Sequence, residues 1–313
     1  MHRGKVVVIG AGFVGSTCAY TLMHSGVFSE ICIIDINKAK AEGDALDMSH
    51  GAAFTKAVKV TAGDYTACRD ADMIIITAGA NQKPGETRID LLRRNAEILR
   101  DIINNIKKNT ENYPILLVVS NPVDVLTYIT YKLSGWPVKK VIGSGTVLDT
   151  SRLKYMLSNH TGIDARNIHT YILGEHGDSE IAAWSITSIG GLSIQEYCGD
   201  GNLCSENNLE NMLDEVRHAA YEIIEKKGAT YYAIGLAVER IVSAIVNDEH
   251  SVLTISSVLE NQYGISDVCL SVPTVVDGNG IVRVLEAPLS DVELEGLKNS
   301  AETLSALLRE LGF

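Results

Sequence analysis

The chain has 313 residues, 46% of them hydrophobic and 21% charged, which is the length of two average domains and an apolar content that excludes wholesale disorder. Its formal charge of −12 repels phosphate backbones and anionic lipid, so nucleic-acid and membrane-surface partners are not expected.

In chain order, a β-branched run over 6–9 ends in glycines, and helical spacing over 14–25 stops at Gly26. A second apolar run over 31–34 is closed by Asp35, and a polar helical stretch follows over 38–50. Runs over 58–61 and 73–77 predict further strands. Ile89, Leu92, Ala96, Leu99, Ile103 and Ile106 repeat at three and four, as on an amphipathic helix facing a core. Strands follow over 115–119 and 141–143. Strands apolar along their whole length and separated by helices predict a parallel sheet covered on both faces.

After about Ser144 the rhythm changes. Helices are predicted over 150–160, 209–226 and 231–246, the second with Met212, Val216, Ala219, Ala220 and Ile223 on one face. Strands are predicted over 168–173 and 181–186. Runs over 268–276 and 280–285 flank Asp277-Gly278-Asn279-Gly280, a hairpin signal. A last helix covers 291–311. The expected division is a nucleotide-binding domain over 1–144 and an α+β substrate and catalytic domain over 145–313.

Cys18, Cys32, Cys68, Cys198, Cys204 and Cys269 form no C-x-x-C pair and stand at no zinc spacing, so free thiols and no metal are expected. The chain enters its first strand without an apolar leader, and no segment reaches the ~18 apolar residues that span a bilayer. A soluble, cytoplasmic protein is expected.

Gly10-Ala11-Gly12-Phe13-Val14-Gly15 lies between a strand and a helix, and Asp35 ends the next strand 20 residues after Gly15. In that context Gly10 makes the turn, Gly12 lets the backbone approach a pyrophosphate, and Gly15 lets helix and strand pack closely. The helix N-terminus presents free N–H groups to the anion. Asp35 accepts from ribose hydroxyls and repels a 2′-phosphate, which favours NAD over NADP; the alternative is that it caps the helix beginning near Asn37.

Three segments carry chemistry. Gly174-Glu175-His176-Gly177-Asp178 sets a histidine between glycines after a strand, where it can exchange a proton near neutral pH. In Asp149-Thr150-Ser151-Arg152, the acid and the base share a helix face; they form either a capped surface ion pair or an imidazole partner beside a carboxylate clamp. The loop over 78–88 has glycines at 79 and 85, as expected of a hinged lid.

Together the G-A-G-F-V-G loop, A-G-A-N-Q-K-P-G-E-T-R, S-N-P-V-D at 120–124, T-V-L-D-T-S-R at 146–152 and G-E-H-G-D at 174–178 span both halves in order. In these the whole chain resembles the L-lactate/malate dehydrogenase family, and most closely its bacterial L-lactate branch. The resemblance implies a doubly wound α/β sheet of the Rossmann type followed by an α+β domain, and hydride transfer between NAD and a 2-hydroxy acid. It makes His176 the proton donor, Asp149 its partner, Arg152 the carboxylate clamp and Arg88 the group polarising the carbonyl. Asn121 then touches substrate and nicotinamide, Thr230 lines the pocket, and Phe13, Val14, Lys40, Tyr65, Thr77, Ala78, Gly79 and Ala80 join the cofactor surface. Gln82 stands where malate-specific relatives look to carry arginine. A neutral residue there leaves a second carboxylate unpaired, which favours pyruvate and L-lactate over malate or bulkier 2-hydroxy acids. Lys154 and His169 match positions that bind fructose 1,6-bisphosphate between subunits, with lysine in place of arginine. A homotetrameric, allosteric enzyme of fermentative glycolysis is implied. A non-enzymatic NAD sensor has no use for His176, Asp149, Arg152 and Arg88 together, and the chain shows no basic DNA-binding pattern.

Overall fold

The computed structural model describes residues 4–80, 85, 87–199 and 206–313, with the backbone alone at 88, 206 and 207. In the first half, β1 (Lys5–Ile9), β2 (Glu30–Ile34), β3 (Lys59–Ala62), β4 (Met73–Ile76), β5 (Ile115–Val118) and β6 (Val141–Gly143) alternate with helices. These are α1 (Phe13–Ser25), α2 (Lys38–His50), α3 (Arg88–Asn109) and α4 (Val123–Ser134). The second half holds α5 (Val147–Thr161), β7 (Ile168–His169), β8 (Ile172–Leu173), β9 (Ile181–Ala182), β10 (Ser188–Ile189), β11 (Leu192–Ser193), α6 (Ile194–Cys198), α7 (Glu206–Lys227) and α8 (Tyr232–Val246). It ends with β12 (Ser251–Leu253), β13 (Ser256–Glu260), β14 (Ser266–Ser271), β15 (Thr274–Asp277), β16 (Gly280–Val284) and α9 (Asp291–Glu310).

The six strands of the first half pair in parallel in the order β3-β2-β1-β4-β5-β6, and β13 and β14 extend the β6 edge antiparallel. Successive side chains of a strand face opposite ways. Val6 and Val8 therefore join one core with Ile31, Ile33 and Ile75, whereas Val7 and Ile9 join another with Ile34, Ile74 and Val118. The first core is covered by α1, α2 and α8. The second is covered by α3, α4 and α9, and the predicted stripe Leu92, Ala96, Leu99, Ile103 and Ile106 is buried in it. A third core, with Leu153, Leu157, Ile172, Met212 and Val216, holds α5 and α7 to the small strands. Ala219, Ala220 and Ile223 of the expected α7 face are only half-buried.

Several expectations need correction. The run 168–173 is two strands in different sheets, because β7 pairs with β10 and β8 with β9. The run 181–186 is β9 followed by a 3-10 turn over 184–186. The run 268–276 breaks at Val272-Pro273, where proline withdraws an N–H from the ladder; β14 closes the large sheet while β15 starts another. The hairpin itself forms, with Asp277 paired to Gly280. Free thiols are found at Cys18, Cys32, Cys68 and Cys269, all buried, where burial pushes Cys18 and Cys68 up to about 12. Cys198 is instead disulfide-bonded, at the half-buried end of α6, its partner lying outside the described residues. Among the described residues no helix is long and apolar enough to cross a membrane.

Candidate active site

The C-terminal ends of β1 and β4 diverge where the strand order reverses, the place at which open α/β sheets bind ligands. Each fingerprint glycine has a physical reason there. Gly10 has φ +108°, and a Cβ on it would stand 2.7 Å from the Ala78 nitrogen. A Cβ on Gly15 would stand 1.8 Å from the Gly10 carbonyl oxygen. Gly12, the N-cap of α1, is different: a Cβ there meets nothing within 4 Å, so the room that glycine leaves is open to a ligand. The first turn of α1 carries no acidic residue, so its N–H groups and positive dipole end face that room unopposed. These residues fit a dinucleotide pyrophosphate.

Asp35 serves the loop as well as any ribose. Its Oδ2 accepts from the Ala11 N–H (2.6 Å) and its Oδ1 from the Asn37 N–H (2.7 Å). The cap of α2 is Asn37, which accepts from the Lys40 N–H. A carboxylate has about four acceptor positions, so sites remain for hydroxyls. Lys40 pairs at 2.8 Å with Asp44, whose Oδ2 also accepts from Ser16 Oγ of α1. Thr77 Oγ1 reaches the Ile9 and Gly10 carbonyls, Ser120 Oγ donates to the Ala78 carbonyl (2.7 Å), and the Ala80 N–H donates to Asn95 Oδ1 (2.8 Å). Asn95 also donates to the carbonyl of Asn121, an exposed residue before a cis proline. The ends of β1, β4 and β5 are thereby tied together. Gly79 is exposed beside them, Val14 and Tyr65 are half-buried, and Phe13 is exposed and stacked on Tyr231.

The three expected polar residues of the second half converge. α5 begins at Val147, earlier than predicted, which puts Asp149 in its first turn and Arg152 one turn on. Asp149 is 1% exposed. Its Oδ1 accepts from Arg152 NH1 at 2.6 Å, and its Oδ2 bonds His176 Nδ1 at 2.6 Å. With Nδ1 so engaged, Nε2 is the nitrogen left to exchange a proton with a substrate. The loop carrying His176 is pinned: Gly174 has φ +95°, the Glu175 N–H donates to Ser300 Oγ (2.6 Å), and the His176 N–H donates to Asp124 Oδ2 (2.8 Å). Asp124, buried on α4, also accepts from Ser256 Oγ (2.6 Å).

Burial works against the His176 cation, but the charge of Asp149, its hydrogen bond and the charge of Asp124 outweigh it, with Glu180 adding to them when ionised, and push His176 up to about 9. Burial would raise Asp149 too, yet His176 and Arg152 hold it below the usual carboxylate range. Burial pushes Asp124 up to about 6.

Thr230 is half-buried in the link between α7 and α8. Arg88 opens α3, whose N-terminus is fixed by the reciprocal Thr87–Asp90 capping box, and its side chain lies outside the described residues, as does Gln82 entirely. Lys154 is half-buried on α5, its ammonium pulled down by burial and by Arg240, while His169 is exposed on β7. No hydrogen bond or ion pair joins Lys154 to His169 among the described residues. Sequence reasoning missed Asp124, Ser256 and Glu180. Asp124 closes the S-N-P-V-D segment, and Glu180 lies four residues past His176; neither position announces burial.

The lactate/malate dehydrogenase family is matched by its NAD binding domain over residues 4–143 and by its alpha/beta C-terminal domain over 146–311. The L-lactate dehydrogenase of Acetivibrio thermocellus is 58% identical over 98% of this chain and 97% of its own. L-lactate dehydrogenase 1 of Clostridium acetobutylicum is 58% identical over 97% of each. The minor L-lactate dehydrogenase of Enterococcus mundtii, 44% identical, superposes with a TM-score of 0.96 in its ligand-bound form, covering 99% of both chains. Its unbound form gives 0.91, covering 98% of this chain and 97% of that one.

Proposed function

The chain belongs to the lactate/malate dehydrogenase family of NAD-dependent oxidoreductases, and within it we propose that it is an L-lactate dehydrogenase, interconverting pyruvate and L-lactate. The observation that carries this is the Arg152–Asp149–His176 array, two contacts of 2.6 Å around one buried carboxylate. Bound over Gly12, NAD supplies or takes up the hydride.

The chain's own residues do the rest. Asp149 fixes the imidazole plane and stabilises its cation, so His176 Nε2 holds the proton that the developing alkoxide of lactate receives. In the reverse direction the neutral ring takes that proton from the lactate hydroxyl. Arg152 grips the substrate carboxylate through guanidinium N–H groups not directed at Asp149, in the paired geometry that arginine allows. Arg88 brings a cation to the carbonyl oxygen as charge builds there. Asn121 and Thr230 flank the substrate, and the neutral Gln82 offers no charge to a second carboxylate, which favours pyruvate. The assignment of Gly10, Gly12, Phe13, Val14, Gly15, Asp35, Lys40, Tyr65, Thr77, Ala78, Gly79, Ala80 and Asn121 to NAD is part of the same reading.

We place the division of labour at 144/145, the cytoplasm as the site of action and a homotetramer as the assembly. Lys154 and His169 are the proposed contacts for fructose 1,6-bisphosphate between subunits. Identical pyruvate saturation curves with and without the sugar bisphosphate near neutral pH would refute that last point. The central test is loss of nicotinamide absorbance from NADH on adding pyruvate, with oxaloacetate and NADPH as parallel arms. Turnover with pyruvate and NADH dominates if the reading holds; preference for oxaloacetate makes the enzyme a malate dehydrogenase.

A further inference from the structure

Beside the His176–Asp149 pair stands a carboxyl group that the mechanism does not use. Glu180 is 2% exposed, and ligand-bearing atoms of Asp149, His176 and Glu180 all lie within 4.8 Å of one another. Its Oε1 is buried and takes no hydrogen bond. Arg217 of α7 approaches the same place. Its NH2 donates to the Glu180 carbonyl oxygen (2.6 Å), its NH1 pairs with Asp214 (3.1 Å), and its buried Nε has no partner. A buried acceptor and a buried cationic donor, neither with a hydrogen-bond partner, thus belong to two residues in direct contact. No hydrogen bond or ion pair joins the two side chains among the described residues.

Groups this close do not titrate independently. Asp149 and Arg152 face the locus from α5, Asp124 from α4 and Arg217 from α7. Asp149 is bonded by both Arg152 and His176 and keeps its charge. Glu180, with an empty Oε1, is the carboxyl that takes up a proton: burial, and then the charge of Asp149, push it up to about 9. That is the range in which His176 loses its own proton.

Resting on the reading of His176 as proton donor, we propose that Glu180 is a positioning residue for the catalytic proton, its carboxyl and the His176 imidazole titrating as one unit, with Arg217 the cation that favours the charged carboxylate. When Glu180 is ionised, His176 faces a second anion and holds its proton more tightly. When Glu180 is protonated, His176 releases its proton more readily. No bond other than O–H and N–H is made or broken.

The test is a 13C titration of ligand-free protein labelled at histidine Cε1, with the His176 resonance assigned by its loss in His176→Asn. In the unaltered protein the His176 curve is expected to be broader than a one-proton curve. In Glu180→Gln it becomes a one-proton curve with its midpoint lower by about one pH unit, and Glu180→Asp keeps the broad form. The alkaline limb of pyruvate reduction moves down with the midpoint in Glu180→Gln, which a merely structural role would not cause. A one-proton curve in the unaltered protein, or an unmoved midpoint in folded Glu180→Gln, overturns the proposal. If Glu180→Gln does not fold, the shape of the unaltered curve decides alone. If His176→Asn retains turnover, the reading of His176 as donor falls, and the titration still decides whether Glu180 is coupled to it.

Discussion

Asp149→Asn removes one charge and keeps the volume, so its consequences can be worked from the geometry. The pair with His176 lifts the imidazole from its ordinary 6.5 to about 9. At about pH 7.5 nearly all the unaltered enzyme then carries the proton that pyruvate reduction needs. With the imidazole back near 6.5 only about a tenth does, a tenfold loss from protonation alone. Asparagine also ceases to favour the Nδ1–H tautomer, which erodes a general-acid contribution of ~10²–10⁴. The expected fall in kcat/KM for pyruvate is about 10²-fold near pH 7.5, shrinking to about tenfold below pH 6, where the ring is charged in both proteins. The stability linkage has a definite sign. A folded-state pKa above the unfolded one stabilises fully below about pH 6.5, and the contribution is lost as pH rises through about 9. The gap of about 2.5 pH units sets a ceiling of about 3 kcal/mol; with the ring 26% exposed, about 1–2 kcal/mol is the usable figure. The assays are pH profiles of pyruvate reduction and of thermal unfolding. A loss of activity equal at every pH would refute the charge argument.

Arg152→Lys keeps the charge but loses the planar fork, so kcat/KM for pyruvate should fall about 10–100-fold while NADH affinity by fluorescence titration stays constant. Gly12→Val points into open room and Gly15→Ala into the Gly10 carbonyl. The first should abolish NADH binding with Tm nearly unchanged, and the second should lower Tm; the opposite pattern in calorimetry would mean the cradle is misplaced. Gln82→Arg should shift preference from pyruvate toward oxaloacetate in steady-state kinetics, and unchanged selectivity would remove Gln82 from the specificity role.

What is legible in the sequence follows from burial. The parallel strands read clearly because both faces are covered, so Val6–Ile9 or Met73–Ile76 is apolar throughout. α4 escaped for the same reason in reverse: Val123 to Thr130 are buried all round, so no polar stripe marks a helical period. The two-residue strands β7 to β11 have no pattern of their own and exist through partners elsewhere in the chain. In the site, His176, Asp149 and Arg152 were readable from local motifs, but not their convergence across 27 residues. Asp124 and Glu180 were not readable as site residues, because a carboxylate in sequence is by default a solvated group.

The charge of the whole chain and the charge of the site answer to different distances. An excess of twelve negative charges sets the far field, and salt screens it within about 8–10 Å. Within the site, two ionised carboxylates, Asp149 and Asp124, are matched by Arg152 and by the His176 cation. Glu180 adds no charge while it keeps its proton. The protonated site is therefore close to neutral inside an acidic protein, and it turns anionic when His176 gives up its proton. An anionic substrate and a catalytic proton are consequently favoured together, because the charge that attracts the carboxylate includes the proton to be transferred.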